Sequence, residues 1–338
     1  MLPFSRNNLA IDLGNNNTLL TDESRVLFSQ PSFIVFDAEN QSVKAVGNEA
    51  FTIFEKNHNQ LKPVKPLQWG VIADYNSASV MVNKMVRQVH AHKWFNGFDH
   101  IISGIPYYAT EVERRALRDL LDQFPARRKH LFFEPLAAAV GIGLNISEPD
   151  GKMVVDIGGG ITEIVIISLS GVAVFRSLKV AGDAMTTEIQ DWFRRNYNLV
   201  IGWKTAEQIK IQTGAALPLL SEKPAPIRVT GKDVVEGVPT VREVNYTDVA
   251  AMLNKSIGSI EESIIQTLEV CPPELAADIY QNGIYLTGGT ALLRGLKERL
   301  QKNIQVPVHL DTEPLLSVGK GISRALREPE KFKPVLFD

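Results

Sequence analysis

Apolar residues run into an aspartate, a glycine-bearing turn and a second apolar run at two places in this chain, and the two aspartates, Asp12 and Asp156, stand 144 residues apart. The first stretch is IDLGNNNT (residues 11–18) and the second is VVDIGGGITEIVIIS (residues 154–168). In each, β-branched residues are bounded by Gly, Asn and Asp, the pattern of a strand, a tight turn and a returning strand. TLLTD and RVLFSQPSFIVF continue the first; TEIVIISLSG and VAVFRSLKVAG continue the second. A separation this long is no solenoid period, and points to duplication of a whole α/β unit.

Helices follow each hairpin. ATEVERRALRDLLDQF offers Thr110 as an N-cap with Glu113 three residues on, a capping box. Val112, Ala116, Leu120 and Phe124 recur there at helical spacing and predict one buried face. EPLAAAVGIGLNI predicts a helix with Pro135 at its first position and Glu134 at or beside the cap. TAEQIKIQTG and DVAAMLNKSIGSIEESIIQTLEV are helical by period. IRVTGKDVVEGVPTVREV (227–244) reads as a hairpin with turns at Gly231 and at Glu236–Gly237. GIYLTGGTALLRGLKERLQ (283–301) reads as a strand, a Gly-Gly turn and a helix. This alternation assigns the α/β class. At 338 residues and 44% hydrophobic, the chain has apolar material for more than one core.

Other classes are disfavoured by what the sequence lacks. With 36 basic and 38 acidic residues there is no field that would draw nucleic acid, nor a basic block. The single cysteine, Cys271, cannot build an internal disulfide framework or a cysteine-rich metal site, and fits a reducing cytoplasm. MLPFSRNN lacks the apolar core of a secretory signal. The longest apolar candidate for a membrane span, Val154 to Phe175, carries Asp156, Glu163 and four glycines, and reads as buried strands.

Three glycine turns each follow an apolar strand: at Gly14, at Gly158 to Gly160 and at Gly288–Gly289. Glycine lets backbone N–H groups converge on an anion with no Cβ in the way, so three such turns suggest a phosphate-bearing ligand. Carboxylates at Asp12 and Asp156 would repel phosphate unless a divalent cation stood between, and magnesium suits two carboxylates with phosphate oxygens and water. There is no G-x-x-x-x-G-K-[ST] and no G-x-G-x-x-G opening a helix, which sets aside the P-loop and dinucleotide folds.

IDLGNNNT, EPLAAAVG, VVDIGGGITE and YLTGGTALLRGL closely resemble the phosphate-1, connecting, phosphate-2 and adenosine motifs of the actin, heat-shock chaperone and sugar-kinase ATPase fold. GVIADYNSA, SGIPYYATEVERRAL, LNISEPDGKMVVDIGGG, AGDAM, TAEQIKI and CPPELAADI narrow the resemblance to the MreB family, the bacterial actins of cell shape, over roughly residues 8 to 325. The resemblance implies a duplicated actin-like α/β fold of two lobes with a nucleotide cleft between them, each lobe carrying a smaller subdomain. The boundaries implied are residues 1–31, 75–146 and 310–338 for subdomain IA and 32–74 for IB, then 147–181 and 245–309 for IIA and 182–244 for IIB. It implies ATP and Mg2+ as ligands, with Asp12 and Asp156 holding the metal through water. Gly14, Asn15, Asn16 and Asn17 would wrap the phosphates from one side, and Gly158, Gly159, Gly160 and Thr162 from the other. Glu134 would orient the attacking water for ATP hydrolysis, with Thr162 beside it. Gly182 and Asp183 would lie near the ribose, Glu207 and Lys210 would contact the adenosine, and Gly288, Gly289 and Thr290 would line the base. Two positions depart from the family's habit of threonine: Asn15, which can still donate to phosphate, and Ile161, whose side chain cannot hydrogen-bond.

The same resemblance implies self-assembly into filaments with paired protofilaments, attachment to the inner face of the cytoplasmic membrane, and partners in the cell-wall elongation machinery. HAHKWFNGFDH (90–100) places Trp94, Phe95 and Phe98 around Asn96–Gly97, and aromatics of this kind favour a membrane interface. Leu2 and Phe4 would assist from the N-terminus, where Pro3 opposes a helix beginning at residue 1. The competing reading is a monomeric actin-fold ATPase of chaperone or sugar-kinase type.

Overall fold

The structure is a computed structural model of the whole chain, and it describes residues 8–56, 59–90 (His90 by its backbone alone) and 97–338. Two compact units are present: Met1–Pro149, Ile167–Val172 and Leu315–Asp338 form the first, and Asp150–Ile166 with Ala173–Pro314 the second.

The first unit is built on a six-stranded sheet, ordered Leu336–Phe337, Ala126–Phe133, Phe98–Ile105, Asn8–Leu13, Asn17–Thr21, Val26–Pro31. The last three strands form an antiparallel meander, with Asp12 opposite Leu19 and Leu13 opposite Thr18. Asn8–Leu13, Phe98–Ile105 and Ala126–Phe133 run parallel. The sheet of the second unit has the order Gly171–Leu178, Thr162–Ser168, Lys152–Ile157, Ile284–Thr287, Val308–Leu310. Its strands Lys152–Ile157, Ile284–Thr287 and Val308–Leu310 are parallel. Three-strand meander, then two parallel strands: the order is the same in both, which is the duplication the paired aspartates predicted. Each unit also carries a small antiparallel sheet, Val43–Val46/Ile34–Asp37/Leu61–Val64 in the first and Leu199–Val200/Ile227–Asp233/Pro239–Val244 in the second.

Several local expectations change in detail. Thr110 does cap the helix Glu111–Leu121 with a reciprocal box to Glu113, but Val112 is 79% exposed. The buried stripe is Leu117, Leu120, Leu121 and Phe124, spaced by three and four; Val112 lies on the opposite face. Gly231 is no turn: Ile227–Asp233 runs straight through it, opposite Thr240, and the only reversal is at Val234–Val238, where Gly237 has φ +76°. A Cβ at Gly231 would stand 2.7 Å from the Val200 carbonyl oxygen, so this glycine admits a neighbouring strand. Phe98 opens its strand 3% exposed, within the core of the first unit, and its amide donates to the Pro125 carbonyl at 2.8 Å. It is therefore not a membrane anchor. Leu2, Phe4, Trp94 and Phe95 lie outside the described residues. Among the described residues no helix is long and apolar enough to cross a membrane.

The connecting-motif helix Glu134–Ile142 owes its composition to close packing. Ala137, Ala138, Ala139 and Val140 are all buried, and the helix lies against Ser317–Arg327 almost backbone to backbone. A Cβ on Gly141 would stand 1.8 Å from the Ser317 carbonyl oxygen, and one on Gly321 would stand 1.7 Å from that of Ala137. Gly143, with φ +106°, ends the helix in the left-handed conformation, and the Val140 carbonyl accepts both the Gly143 amide at 3.1 Å and Arg324 Nη1 at 2.9 Å. Gly321→Ala is expected to push these helices apart and destabilise the first unit by about 1–3 kcal/mol. A urea midpoint unchanged from wild type would show that the contact yields without cost.

Candidate functional site

In the first unit the turn after Asp12 is held from behind by Ser32, a fully buried residue that sequence reading passed over. Its hydroxyl donates to the Gly14 carbonyl at 2.7 Å, its amide to the Asn16 carbonyl at 2.9 Å, and its oxygen lies 3.0 Å from Thr18 Oγ1. A Cβ on Gly14 would sit 2.6 Å from the Asn17 carbonyl oxygen, so the turn closes only around glycine. Asn15 is 6% exposed and its Oδ1 accepts from the Gly70 amide at 3.4 Å, which ties the turn to the hairpin at Leu67–Ile72. Asn17 is exposed at the head of the returning strand. Glu134 is the first helical residue, Phe133 being the N-cap, so Pro135 falls one place later than the sequence suggested. The Glu134 side chain lies over Gly104 of Phe98–Ile105, where a Cβ would come within 3.2 Å of its Cγ. The glycine thus makes room for the carboxylate arm.

The second unit gathers four separate segments. The Gly158 carbonyl accepts from the Gly182 amide at 3.1 Å and from Thr290 Oγ1 at 2.7 Å, and the Gly159 carbonyl accepts from the Asp183 amide at 2.7 Å. The Gly158 amide closes its own turn onto the Ile161 carbonyl at 3.0 Å. Buried Lys210 donates to the Gly182 carbonyl at 2.8 Å and to Thr186 Oγ1 at 3.0 Å, and stands 2.7 Å from Glu207. Thr186 also donates to Glu207. Glu207 and Lys210 are thus not a solvated helix pair but the clamp on the first turn of Gly182–Tyr197. Thr186 was missed; its one signal was its place four residues after Gly182, on the face that helix turns inward. A Cβ at Gly288, which has φ +86°, would stand 2.4 Å from Asp156 Oδ1 and from the Ile157 carbonyl oxygen. Only glycine lets the 284–290 segment approach the aspartate so closely.

Thr162 answers differently. It is fully buried, and its hydroxyl donates to the Val180 carbonyl at 2.7 Å. That bond ties the returning strand to the segment ahead of Gly182 and takes the hydroxyl proton, so a catalytic role for Thr162 is set aside. Ile161, 6% exposed, fills core space beside it.

Among the described residues no three His, Cys, Asp or Glu side chains gather as a ready metal site. Asp156 nevertheless has the character of a cation's partner: desolvation at the strand end pushes its carboxyl up to about 6. A carboxylate so placed prefers a proton or a positive ion, and a magnesium ion that keeps most of its waters needs few protein oxygens. The donor set fits that ion.

Both phosphate-type turns, the carboxylate-bearing helix start and the clamped glycines stand on a duplicated meander-and-parallel sheet, which defines an actin-like fold. The relatives agree. The family model for MreB/Mbl protein matches residues 6–334. Over 325 residues, covering 95% of this chain and 93% of the relative, the sequence is 38% identical to the cell shape-determining protein MreB of Escherichia coli K12. It is 34% identical over 322 residues to the cell shape-determining protein Mbl of Bacillus subtilis 168, covering 94% and 96%. The crystal structure of Spiroplasma citri MreB5 bound to ADP superposes with a TM-score of 0.91 at 31% identity, covering 98% of this chain and 99% of that one; the AMPPNP-bound form of MreB5 also gives 0.91, at 30% identity. The chain belongs to the MreB/Mbl family.

Because the folded-state carboxyl of Asp156 is raised, its ionisation opposes folding as pH climbs from about 4 through about 6. In the nucleotide- and metal-free protein, Asp156→Asn is therefore expected to raise the melting temperature at pH 7 and to lose that advantage below pH 4. A gain independent of pH would show that the carboxyl is solvated.

Proposed function

We propose that this chain binds ATP with magnesium through the turns after Asp12 and Asp156, hydrolyses it slowly, and assembles into filaments that organise cell shape. The observation that carries the reading is the convergence on Gly158 and Gly159. Three donors, the Gly182 and Asp183 amides and Thr290 Oγ1, engage the carbonyl side of that turn, which leaves its other backbone N–H groups to an anion. The nucleotide complexes of MreB5 and the MreB/Mbl kinship support it.

In this reading residues 32–74 and 182–244 are the smaller subdomains of two lobes, 1–31, 75–146 and 310–338 complete the first lobe, and 147–181 and 245–309 complete the second. Asp12 and Asp156 hold the metal through water, and Asn16 and Asn17 face phosphate with the Gly14 and Gly158–Gly160 backbone. Asn15, held by Gly70, shapes the turn more than it touches the ligand. Bound magnesium supplies charge neutralisation on the phosphate oxygens. Gly182 and Asp183 meet the ribose, Glu207 and Lys210 the adenosine edge, and Gly288, Gly289 and Thr290 the base. Lys210 serves there with its ammonium already bonded to Gly182 and Thr186, so it acts as a preorganised wall and not as a mobile charge.

Glu134 holds no metal in this scheme; its work is on the attacking water, positioned by a helix that cannot shift against Ser317–Arg327. Glu134→Ala is expected to keep ATP affinity within a few-fold and to lower turnover by about 10²-fold or more. Parallel loss of binding and turnover, measured by nucleotide fluorescence and phosphate release, would reduce Glu134 to a structural helix start.

Filaments would lie at the inner face of the cytoplasmic membrane, alongside the wall-elongation machinery, attached through Trp94 and Phe95 with Leu2 and Phe4. Burial of one such side chain is worth roughly 1.5–3 kcal/mol before ordering costs, so a monomer binds lipid marginally and a polymer strongly. Wild-type protein is expected to float with liposomes in an ATP-dependent way, and a Trp94→Ala/Phe95→Ala protein that still polymerises is expected to stay at the bottom of the gradient. Equal flotation of the two would move the anchor elsewhere.

A further inference from the structure

Ser32 touches the turn after Asp12 at its beginning, middle and end. Its hydroxyl donates to the Gly14 carbonyl at 2.7 Å, its amide donates to the Asn16 carbonyl at 2.9 Å, and its Oγ lies 3.0 Å from Thr18 Oγ1. A serine hydroxyl has one proton. That proton is committed to Gly14, so in the contact with Thr18 the threonine donates and Ser32 accepts. Thr18, Ser32 and the Gly14 carbonyl thus form a directed chain in which each bond polarises the next. Both hydroxyl residues are fully buried.

One residue in this way sets two peptide planes. A trans peptide points its N–H opposite to its C=O. A grip on the Gly14 and Asn16 carbonyls therefore fixes the direction of the Asn15 and Asn17 N–H groups, away from Ser32. Ser32 is held in place in its turn. Phe33, the next residue, is 2% exposed in an aromatic cluster, edge-on to Phe51 at 5.2 Å and to Phe54 at 4.7 Å. The Phe33 carbonyl accepts the Gly47 amide at 2.9 Å. Val35, Ala45 and Leu61 of the small sheet pack into the same cluster, so the turn is braced against that sheet's core.

We propose that Ser32 is a positioning residue for ATP: it touches no ligand atom itself, and sets the backbone planes of the turn that meets phosphate. This role rests on the ATP reading above. Its consequence is selective. Loss of the hydroxyl leaves the Gly14 carbonyl and the Thr18 hydroxyl buried without their partner, and the turn must rotate to satisfy them. Contacts to phosphate weaken. Contacts to adenosine, which that reading gives to the second unit, do not.

The test compares ATP with adenosine, each titrated by calorimetry against the full-length protein with magnesium present. Ser32→Ala is expected to weaken ATP affinity by about tenfold and to leave adenosine affinity within about twofold. Thr18→Val keeps the branched shape and removes the first donor, and should weaken ATP by a smaller factor. Ser32→Ala/Thr18→Val should bind ATP no more weakly than Ser32→Ala, since the threonine acts only through the serine. A serine that merely supports the fold would lower the nucleotide-free melting temperature and leave the ratio of ATP to adenosine affinity at its wild-type value. That ratio unchanged in Ser32→Ala overturns the proposal, as does a double variant whose losses add. Where Ser32→Ala does not fold, Ser32→Cys, a weaker donor of the same connectivity, carries the same comparison. A wild type that binds ATP no better than adenosine overturns the ATP reading and the role of Ser32 with it.

Discussion

A single backbone oxygen, that of Gly158, organises the second unit: it accepts from the Gly182 amide and from Thr290 Oγ1, and so fastens three chain segments at one point. Its counterpart in the first unit is the oxygen of Gly14, held by Ser32 Oγ. Each glycine stands two residues after its aspartate, and each has its carbonyl gripped by a hydroxyl from a distant segment. The duplication is thus visible beyond strand order, at the level of single hydrogen bonds. The physical reason is shared: a tight turn that offers N–H groups to an anion must have its carbonyls satisfied on the other side.

Much of this was legible in sequence because it depends on local rules. Strands announced themselves by β-branched runs, turns by glycine and asparagine, and the Thr110–Glu113 box by its spacing. What was not legible is what distant segments do to one another. Nothing local marks Ser32 or Thr186 as partners of the turns, since a buried serine or threonine has no pattern of its own. Thr162 looked like a ligand because it follows three glycines, yet its hydroxyl belongs to Val180. Phe98 looked like a loop aromatic because Asn96–Gly97 precedes it, and the strand it opens carries it into the core. Gly231 looked like a turn and is instead a gap for a neighbouring backbone. In each case the residue type was read correctly and its partner could not be.

The helix Glu134–Ile142 links packing to the proposed chemistry. Its alanines and Gly141 permit backbone contact with Ser317–Arg327, where larger side chains would hold the helices 8–10 Å apart. That contact is rigid, because neither side has a flexible group to yield. Gly104 meanwhile leaves space for the Glu134 arm. A carboxylate at the first turn of a helix is favoured by the helix dipole, so this position suits an ionised side chain that orients water better than one that must donate a proton.

The two units differ in how their turns are held, and the difference bears on where adaptation is possible. In the first, Asn15 bonds the backbone of Gly70 in a two-stranded hairpin, so a threonine there would exchange the carbonyl acceptor for a shorter hydroxyl and loosen that tie. In the second, Lys210 is locked by Gly182, Thr186 and Glu207, three partners that together use the ammonium's full donor capacity. A buried ammonium so satisfied is costly to disturb, since removal of any one acceptor leaves a charge incompletely paired. The glycine turn beside it inherits that rigidity through the Gly182 amide. Asn15 therefore belongs to the more adjustable of the two turns and Lys210 to the fixed one, and the two departures from the threonines that the family resemblance implies fall one in each unit, Asn15 in the first and Ile161 in the second.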